Sequence, residues 1–289
     1  MNYEGNIFRP PAEHDSVLLQ VTIGCSNNKC LFCGMYKDKR FRFKDEKTIS
    51  ADILTASKLY KNTKRLFFCD GDALIMPQQR LLSLLREINE KLPWLTRIGS
   101  YANAKSIRFK TLEELKELRA NKLSILYMGL ESGDDQILLE MGKGVDVQTQ
   151  VREALKVKEA GMKLSITVLL GLGGRKRSIE HAVSTGEALS RIDPNYIGAL
   201  TLMLPPQVSL SSRIQSGDFE TITPIETLQE LKVLIEHTNI TRGVFSANHA
   251  SNFLPIQVRF PAEKKMVIQL LEKAVRGNVS LKHEFLRGL

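Results

Sequence analysis

The chain has 289 residues, 43% apolar and 25% charged, which is enough apolar material for a sizeable core and excludes a disordered or fibrous chain. A formal net charge of +9 is modest for this length and does not choose among small anions, nucleic acid and an acidic redox partner. No apolar run approaches the roughly 18 residues of a membrane span, and the opening MNYEGNIFRPPAEHD lacks a basic-then-apolar export pattern; a cytoplasmic protein with reduced thiols and no membrane contact is expected.

In chain order, the β-rich stretch SVLLQVTIG (16–24) leads straight into GCSNNKCLFCGMY (24–36). Helical spacing follows over 49–62, and RLFFCDG (65–71) reads as a strand ending on turn residues. The β-loop-α-β unit then repeats as helix 78–90, strand 96–102, helix 111–120, strand 123–132, helices near 134–141 and 147–160, strand 163–173, helix 178–190 and strand 196–206. A helix over 224–238, a strand-like GVFSANH (243–249) and a helix near 262–275 complete the series. Apolar strands joined by single helices predict a parallel sheet buried on both faces. The expected fold class is α/β, a partial (β/α) barrel of about six parallel strands with a C-terminal extension. The expected division is an N-terminal extension (1–14), a core barrel (15–240), and a C-terminal strand and helix capping it (241–289).

Right-handed crossovers would set every strand's C-terminal end on one rim, where such barrels carry their chemistry. The cysteine loop, DGDA (70–73), SYAN (100–103), ESG (131–133), GLGGRKR (171–177), PPQ (205–207) and NHASN (248–252) fall there. Cys25, Cys30 and Cys33 are the chemical centre of this set. A structural zinc site usually takes four ligands from two separated halves, and here no second half follows: the histidines at 14, 181, 237, 249 and 283 are scattered. Three thiolates suit a four-iron cluster, because they hold three irons and leave the fourth open to an outside ligand. Unrelated thiols, or zinc completed by Cys69, remain the alternatives. Cys69 itself, among Leu66, Phe67 and Phe68, reads as a small buried hydrophobe.

These motifs resemble the radical S-adenosylmethionine (SAM) enzymes. A cysteine triad directly after the first strand of a βα barrel, with the aromatic Phe32 before its last cysteine, is similar to that family's cluster loop. The spacing here is C-x4-C-x2-C, against the common C-x3-C-x2-C. CDGDAL (69–74) looks like the family's Gly-Gly-Glu element, whose backbone contacts the SAM amino group; Gly71 and Asp72 occupy the matching places, and the element itself has become Asp70-Gly71-Asp72. GLESG (129–133) resembles the stretch whose acidic residue, here Glu131, lies near the ribose. LLGLGG (169–174) resembles the segment lining the adenine site, which points to Gly171 and Leu172. Ser100 and Asn103, at the third strand's end, join these candidate cofactor contacts. The likeness runs from about 15 to about 250, and the motif order looks most like the branch containing the Elongator catalytic subunit and the oxygen-independent coproporphyrinogen oxidases.

The resemblance implies two cofactors, a 4Fe-4S cluster on Cys25, Cys30 and Cys33, and SAM chelating the open iron. A reduced cluster would then cleave SAM to methionine and a 5′-deoxyadenosyl radical that takes a hydrogen from a substrate above the barrel mouth. It also implies anaerobic chemistry and a flavodoxin- or ferredoxin-type electron donor. With one cysteine left over, no second cluster is expected, and neither a cobalamin nor an acetyltransferase domain has room. KDKRFRFK (37–44) and RKR (175–177) suggest an anionic small-molecule substrate, with Arg175, Arg177 and His249 as candidate contacts; a solvated charge run is the plainer reading of both. The competing functions are RNA modification, which the basic excess supports weakly, and a non-catalytic metal-stabilised binding protein. Likewise, GLGG could be only a turn, and Glu131 only a neighbour of a helix start.

Overall fold

The computed structural model describes residues 1–205 and 208–288, so the last residue of the strand expected over 196–206 and part of the PPQ segment lie outside the described residues. The chain forms two units. One comprises Met1–Asn28, Met35–Met128 and Arg152–Leu164; the other comprises Lys29–Gly34, Gly129–Val151 and Ser165–Leu289.

The first unit carries β1 (Val17–Gln20), β2 (Thr22–Ile23), β3 (Arg42–Phe43), α1 (Glu46–Leu59), β4 (Arg65–Cys69), α2 (Gln78–Lys91), β5 (Arg97–Ala102), α3 (Ala104–Arg108), α4 (Leu112–Ala120) and most of β6 (Leu123–Glu131). Strands β1, β4, β5 and β6 pair in that order, all parallel, in registers such as Leu19↔Phe68 and Ser100↔Leu126. The parallel arrangement follows from burial on both faces: Leu66, Phe67, Phe68 and Cys69 are successive residues, and all four are inaccessible. Asp45 and Thr111 cap α1 and α4 by accepting from Thr48 N and Glu114 N, which places these helix starts where a polar residue precedes the apolar stripe.

The stretch read as one strand over 16–24 is two. Past Gln20 the chain leaves the parallel sheet, and β2 pairs antiparallel with β3. The basic run 37–44 is therefore part of a ribbon and not a free cationic patch. Lys44 is buried and 3.0 Å from Asp52, Lys39 reaches Asp70 at 3.5 Å, and Phe41 meets Phe43 edge to face.

The second unit carries α5 (Asp135–Glu140), the start of α6 (Val147–Glu159), most of β7 (Lys163–Leu170), α7 (Ser178–Ile192), β8 (Tyr196–Thr201), α8 (Leu210–Gln215), α9 (Pro224–His237), β9 (Gly243–Ser246), β10 (Gln257–Phe260) and α10 (Lys264–Val275). Strands β7, β8 and β9 are parallel, and β10 closes the set antiparallel to β9. The strand expected to run to 173 stops at Leu170, because Gly171 takes a φ of 83° and turns the chain out of the ladder. Sequence periodicity misses α3, α8 and β10, which are too short to show a period.

At the N-terminal side of the first unit, Glu13 is fully buried. Its carboxylate takes both Arg97 Nη2 bonds, at 2.7 and 2.9 Å, and also accepts from Ser16 Oγ and Tyr127 Oη. Residues 11–13 thus anchor the leading segment onto β5 and β6. Glu13→Ala should cost about 3 kcal/mol, because it strands a partly buried guanidinium and a buried phenol. Urea unfolding of the variant against the parent checks this.

Candidate cofactor site

In the first unit the strand ends converge on Asp70, Gly71 and Asp72. Asp70 follows β4 with a φ of 66°, unusual for a residue with a side chain. Its Oδ2 accepts from Gly24 N at 2.8 Å and Gln20 Nε2 at 3.1 Å, so one buried carboxylate fixes the residue just before Cys25. Gly71 N donates to Gly24 O at 3.0 Å, which ties the two strand exits together. The fit is close: a Cβ on Gly71 would stand 2.6 Å from Cys25 Cβ and 3.0 Å from its sulfur. Only glycine allows the backbone to lie against the thiol.

Asp72 is wholly buried. Its Oδ2 accepts from Ser26 Oγ at 2.5 Å and Asn103 Nδ2 at 2.7 Å, and its Oδ1 has no hydrogen-bond partner. Burial pushes its carboxyl up to about 6, against the pull of hydrogen bonds from Ser26, Ser106 and Asn103. Asn103 is also the N-cap of α3, in a reciprocal box with Ser106. The structure therefore brings Ser26, Gly71, Asp72 and Asn103 into one polar cluster beside Cys25. Ser100 is buried, and its hydroxyl donates to Tyr101 O.

Cys30 and Cys33 belong to the second unit, and all three thiols of the triad are half-buried. Between the two, Leu31 N donates to Met141 O and Leu31 O accepts from Leu210 N, both at 3.0 Å. Phe32 packs against the apolar cluster of Ile137, Met141, Leu172, Val208, Leu210 and Phe219, and so serves as an anchor of the loop. Leu172 is a member of that core. Glu131 ends β6 with a φ of 66° and pairs with Lys143 at 3.0 Å. Cys69, by contrast, is fully buried, and desolvation pushes its thiol up to about 12.

The three candidate substrate contacts are engaged within the second unit. Arg175 pairs with Glu220 and with Glu226, and Arg177 lies 2.5 Å from Asp134. His249 Nδ1 accepts from Ser251 N at 3.1 Å and lies 2.9 Å from Ser251 Oγ, inside its own turn. A cavity of about 530 Å³ opens at the ends of β7 and β8. Leu202, Leu204, Ile222 and Phe253 are among its walls, beside Gly171. Sequence reasoning missed Asp70 and Ser26 in the first unit's polar cluster, and Lys143 as the partner of Glu131 in the second unit. Their residue types were visible, but a positive φ and a return contact from a distant loop were not.

A sequence model described as the Radical SAM superfamily matches residues 19–186, more than half of the chain. The chain belongs to the radical SAM superfamily, a superfamily of enzymes. No curated protein matches it. Among solved structures with this fold, coproporphyrinogen III oxidase (HemN) from Escherichia coli aligns with a TM-score of 0.57 at 16% identity, covering 76% of this chain and 51% of that one. Methylornithine synthase (PylB) aligns at 0.55 and 16%, covering 78% and 63%. The archaeal Methanocaldococcus infernus Elp3 aligns at 0.52 and 13%, covering 80% and 59%. The chain therefore spans between 51% and 63% of these proteins' own length. The branch that the motif order resembles is represented among them, and the α/β partial-barrel fold is the shared one.

The family implies a 4Fe-4S cluster and SAM. Among the described residues no group of three His, Cys, Asp or Glu side chains stands ready for a metal ion. The donor chemistry nonetheless fits a cluster: three half-buried thiols lie on one loop, and a glycine backbone is pressed against the first. The unpartnered Asp72 Oδ1 fits a cationic amine. Among the described residues no helix is long and apolar enough to cross a membrane.

Asp72 makes stability depend on pH. A carboxyl raised from 3.8 to about 6 by folding contributes fully below pH 3.8 and loses that contribution as pH rises through about 6. In cluster-free protein, Asp72→Asn should remove this loss. The variant should gain on the order of 2–3 kcal/mol over the parent near neutral pH and nothing near pH 4, as read from urea midpoints at the two pH values.

Proposed function

We propose that the chain holds a site-differentiated 4Fe-4S cluster on Cys25, Cys30 and Cys33 and binds SAM beside it, to act on a small-molecule substrate. The observation that carries the reading is the cysteine triad with Gly71 packed against Cys25, next to a buried Asp72 that bonds Ser26 and Asn103 through Oδ2 and keeps Oδ1 without a hydrogen-bond partner, as Asp70 does. An ammonium group on Asp72 Oδ1 would complete that carboxylate. When bound and reduced, the cluster supplies the electron that splits SAM into methionine and a 5′-deoxyadenosyl radical.

The chain's own residues have positioning roles. Asp72, steadied by Ser26 and Asn103, orients the amine. Glu131, paired with Lys143, would accept from the ribose hydroxyls, as the family resemblance implies. Gly71 lets the backbone lie against Cys25, which would hold the cluster. The cavity at Gly171, with apolar walls from Leu202, Leu204, Ile222 and Phe253 and polar groups of Thr201, Thr227, Glu284 and Arg287, suits a flat ring or substrate body that carries a few polar groups. The cations that suggested an anionic substrate are paired within the chain, so the proposal rests on no substrate charge. A flavodoxin- or ferredoxin-type donor in a reducing, cytoplasmic compartment is part of the same proposal.

Anaerobic reconstitution with iron and sulfide, followed by metal analysis and assay of 5′-deoxyadenosine under a strong reductant, tests the reading. Cluster and SAM cleavage should both appear in the parent and both be lost in Cys25→Ala, Cys30→Ala and Cys33→Ala. Zinc in place of iron, or cleavage in the triple variant, would overturn it. Gly71→Ala should bind markedly less iron than the parent while remaining folded by circular dichroism, because its methyl group occupies the space of the Cys25 side chain.

A further inference from the structure

Two of the candidate cofactor segments, residues 131–134 after β6 and 169–171 at the end of β7, are joined by side chains that belong to neither. His181, on α7, is fully buried. Its Nδ1 lies 2.8 Å from Ser132 Oγ, and its Nε2 lies 3.1 Å from Leu169 O and 3.7 Å from Glu230 Oε1. Leu169 O can only accept, so Nε2 carries hydrogen. Ser132 Oγ already accepts from Asp134 N at 3.0 Å and is free to donate to Nδ1. Thr185, one turn further along α7, accepts from Gly133 N at 2.9 Å.

Glu230, on α9, is the second member and is equally buried. Its Oε1 accepts from Gly171 N at 2.6 Å and its Oε2 from Ser178 Oγ at 2.5 Å. Gly171 has left the strand ladder, so its N–H needs an acceptor, and the carboxylate is the one provided. Burying a carboxylate and an imidazole is costly where apolar side chains would pack. Here the cost coincides with the backbone donors and acceptors of both strand exits.

We infer that His181 and Glu230 are positioning residues that hold the two cofactor segments in one frame, so that the Glu131 side and the Gly171 side of the bound cofactor are set together. The inference rests on the reading that these segments bind SAM. Ser132 touches His181 and not Glu230, so an effect of Glu230 on segment 131–134 passes through α7, by way of His181 to Ser132 or of Ser178 and Thr185 to Gly133.

The test combines amide hydrogen exchange with SAM affinity, both on the anaerobically reconstituted protein, for the parent, Glu230→Ala and Glu230→Gln. Glu230→Ala should lose protection in peptides covering 129–134 as well as 169–174, and should raise the Kd for SAM about ten-fold, the usual scale for removing a residue that orients a binding group. Glu230→Gln should restore most of both, because its amide oxygen can still accept from Gly171 N and its NH2 can donate to Ser178. If Glu230→Ala does not fold, Ser132→Ala, which cuts the link on the other side of the imidazole, should weaken SAM binding several-fold by the same logic. A Glu230→Ala protein with lowered Tm but a Kd within two-fold of the parent overturns the inference, as does weakened binding with unchanged exchange in 129–134. Failure of the parent itself to bind SAM would instead overturn the cofactor reading.

Discussion

Where the chain leaves a strand or enters a helix, backbone N–H groups need acceptors, and in this chain carboxylates take several of them. Asp70 accepts from Gly24 N, Glu230 from Gly171 N, Asp134 from Gln136 and Ile137 N, and Asp135 from Val147 N. The loops that follow can then be irregular, glycine-rich and functional without an orphaned backbone. Asp70 and Asp72 each keep one buried oxygen, Oδ1, without a hydrogen-bond partner.

The same arrangement explains where the positive charge goes. Each buried carboxylate is costly to desolvate, and several draw a cation inward: Lys39 to Asp70, Lys44 to Asp52, Arg97 to Glu13, Lys143 to Glu131, Arg177 to Asp134. Part of what looks in one dimension like a cationic face is therefore internal compensation. Inside the strand-end loops, local pairs such as Lys39–Asp70, Lys143–Glu131 and Arg177–Asp134 set the electrostatics.

The cysteine loop is held from both ends by different means. Before Cys25 it is fixed by polar contacts, the Asp70 carboxylate and the Gly71–Gly24 backbone bond. Around Phe32 it is fixed by apolar packing and by Leu31's two backbone bonds to Met141 and Leu210. The linker between these anchors, Ser26 to Lys29, contains the extra residue of the C-x4-C spacing. Ser26 there is bonded to Asp72, and Asn28 Nδ2 reaches the carbonyls of Tyr36 and Lys39, so this linker has structural work of its own.

Family, fold class and the order of rim motifs were legible in one dimension. Local pattern encodes them: apolar runs of strand length, amphipathic helices between them, and cysteines spaced along a single loop. The long helices and central strands fell close to their expected bounds for the same reason. What the linear chain could not disclose depends on contacts between residues far apart in it. Asp70 and Glu131 adopt positive φ because distant partners hold them, a conformation their residue types do not advertise. Arg175 and Arg177 look free until Glu220, Glu226 and Asp134 are brought beside them. His181 and Glu230, forty-nine positions apart, become one pair only when α7 packs on α9. Sequence thus determined which chemistry the loops could carry, while tertiary structure decided which polar groups were satisfied within the chain, because hydrogen-bond satisfaction is a property of three-dimensional neighbours.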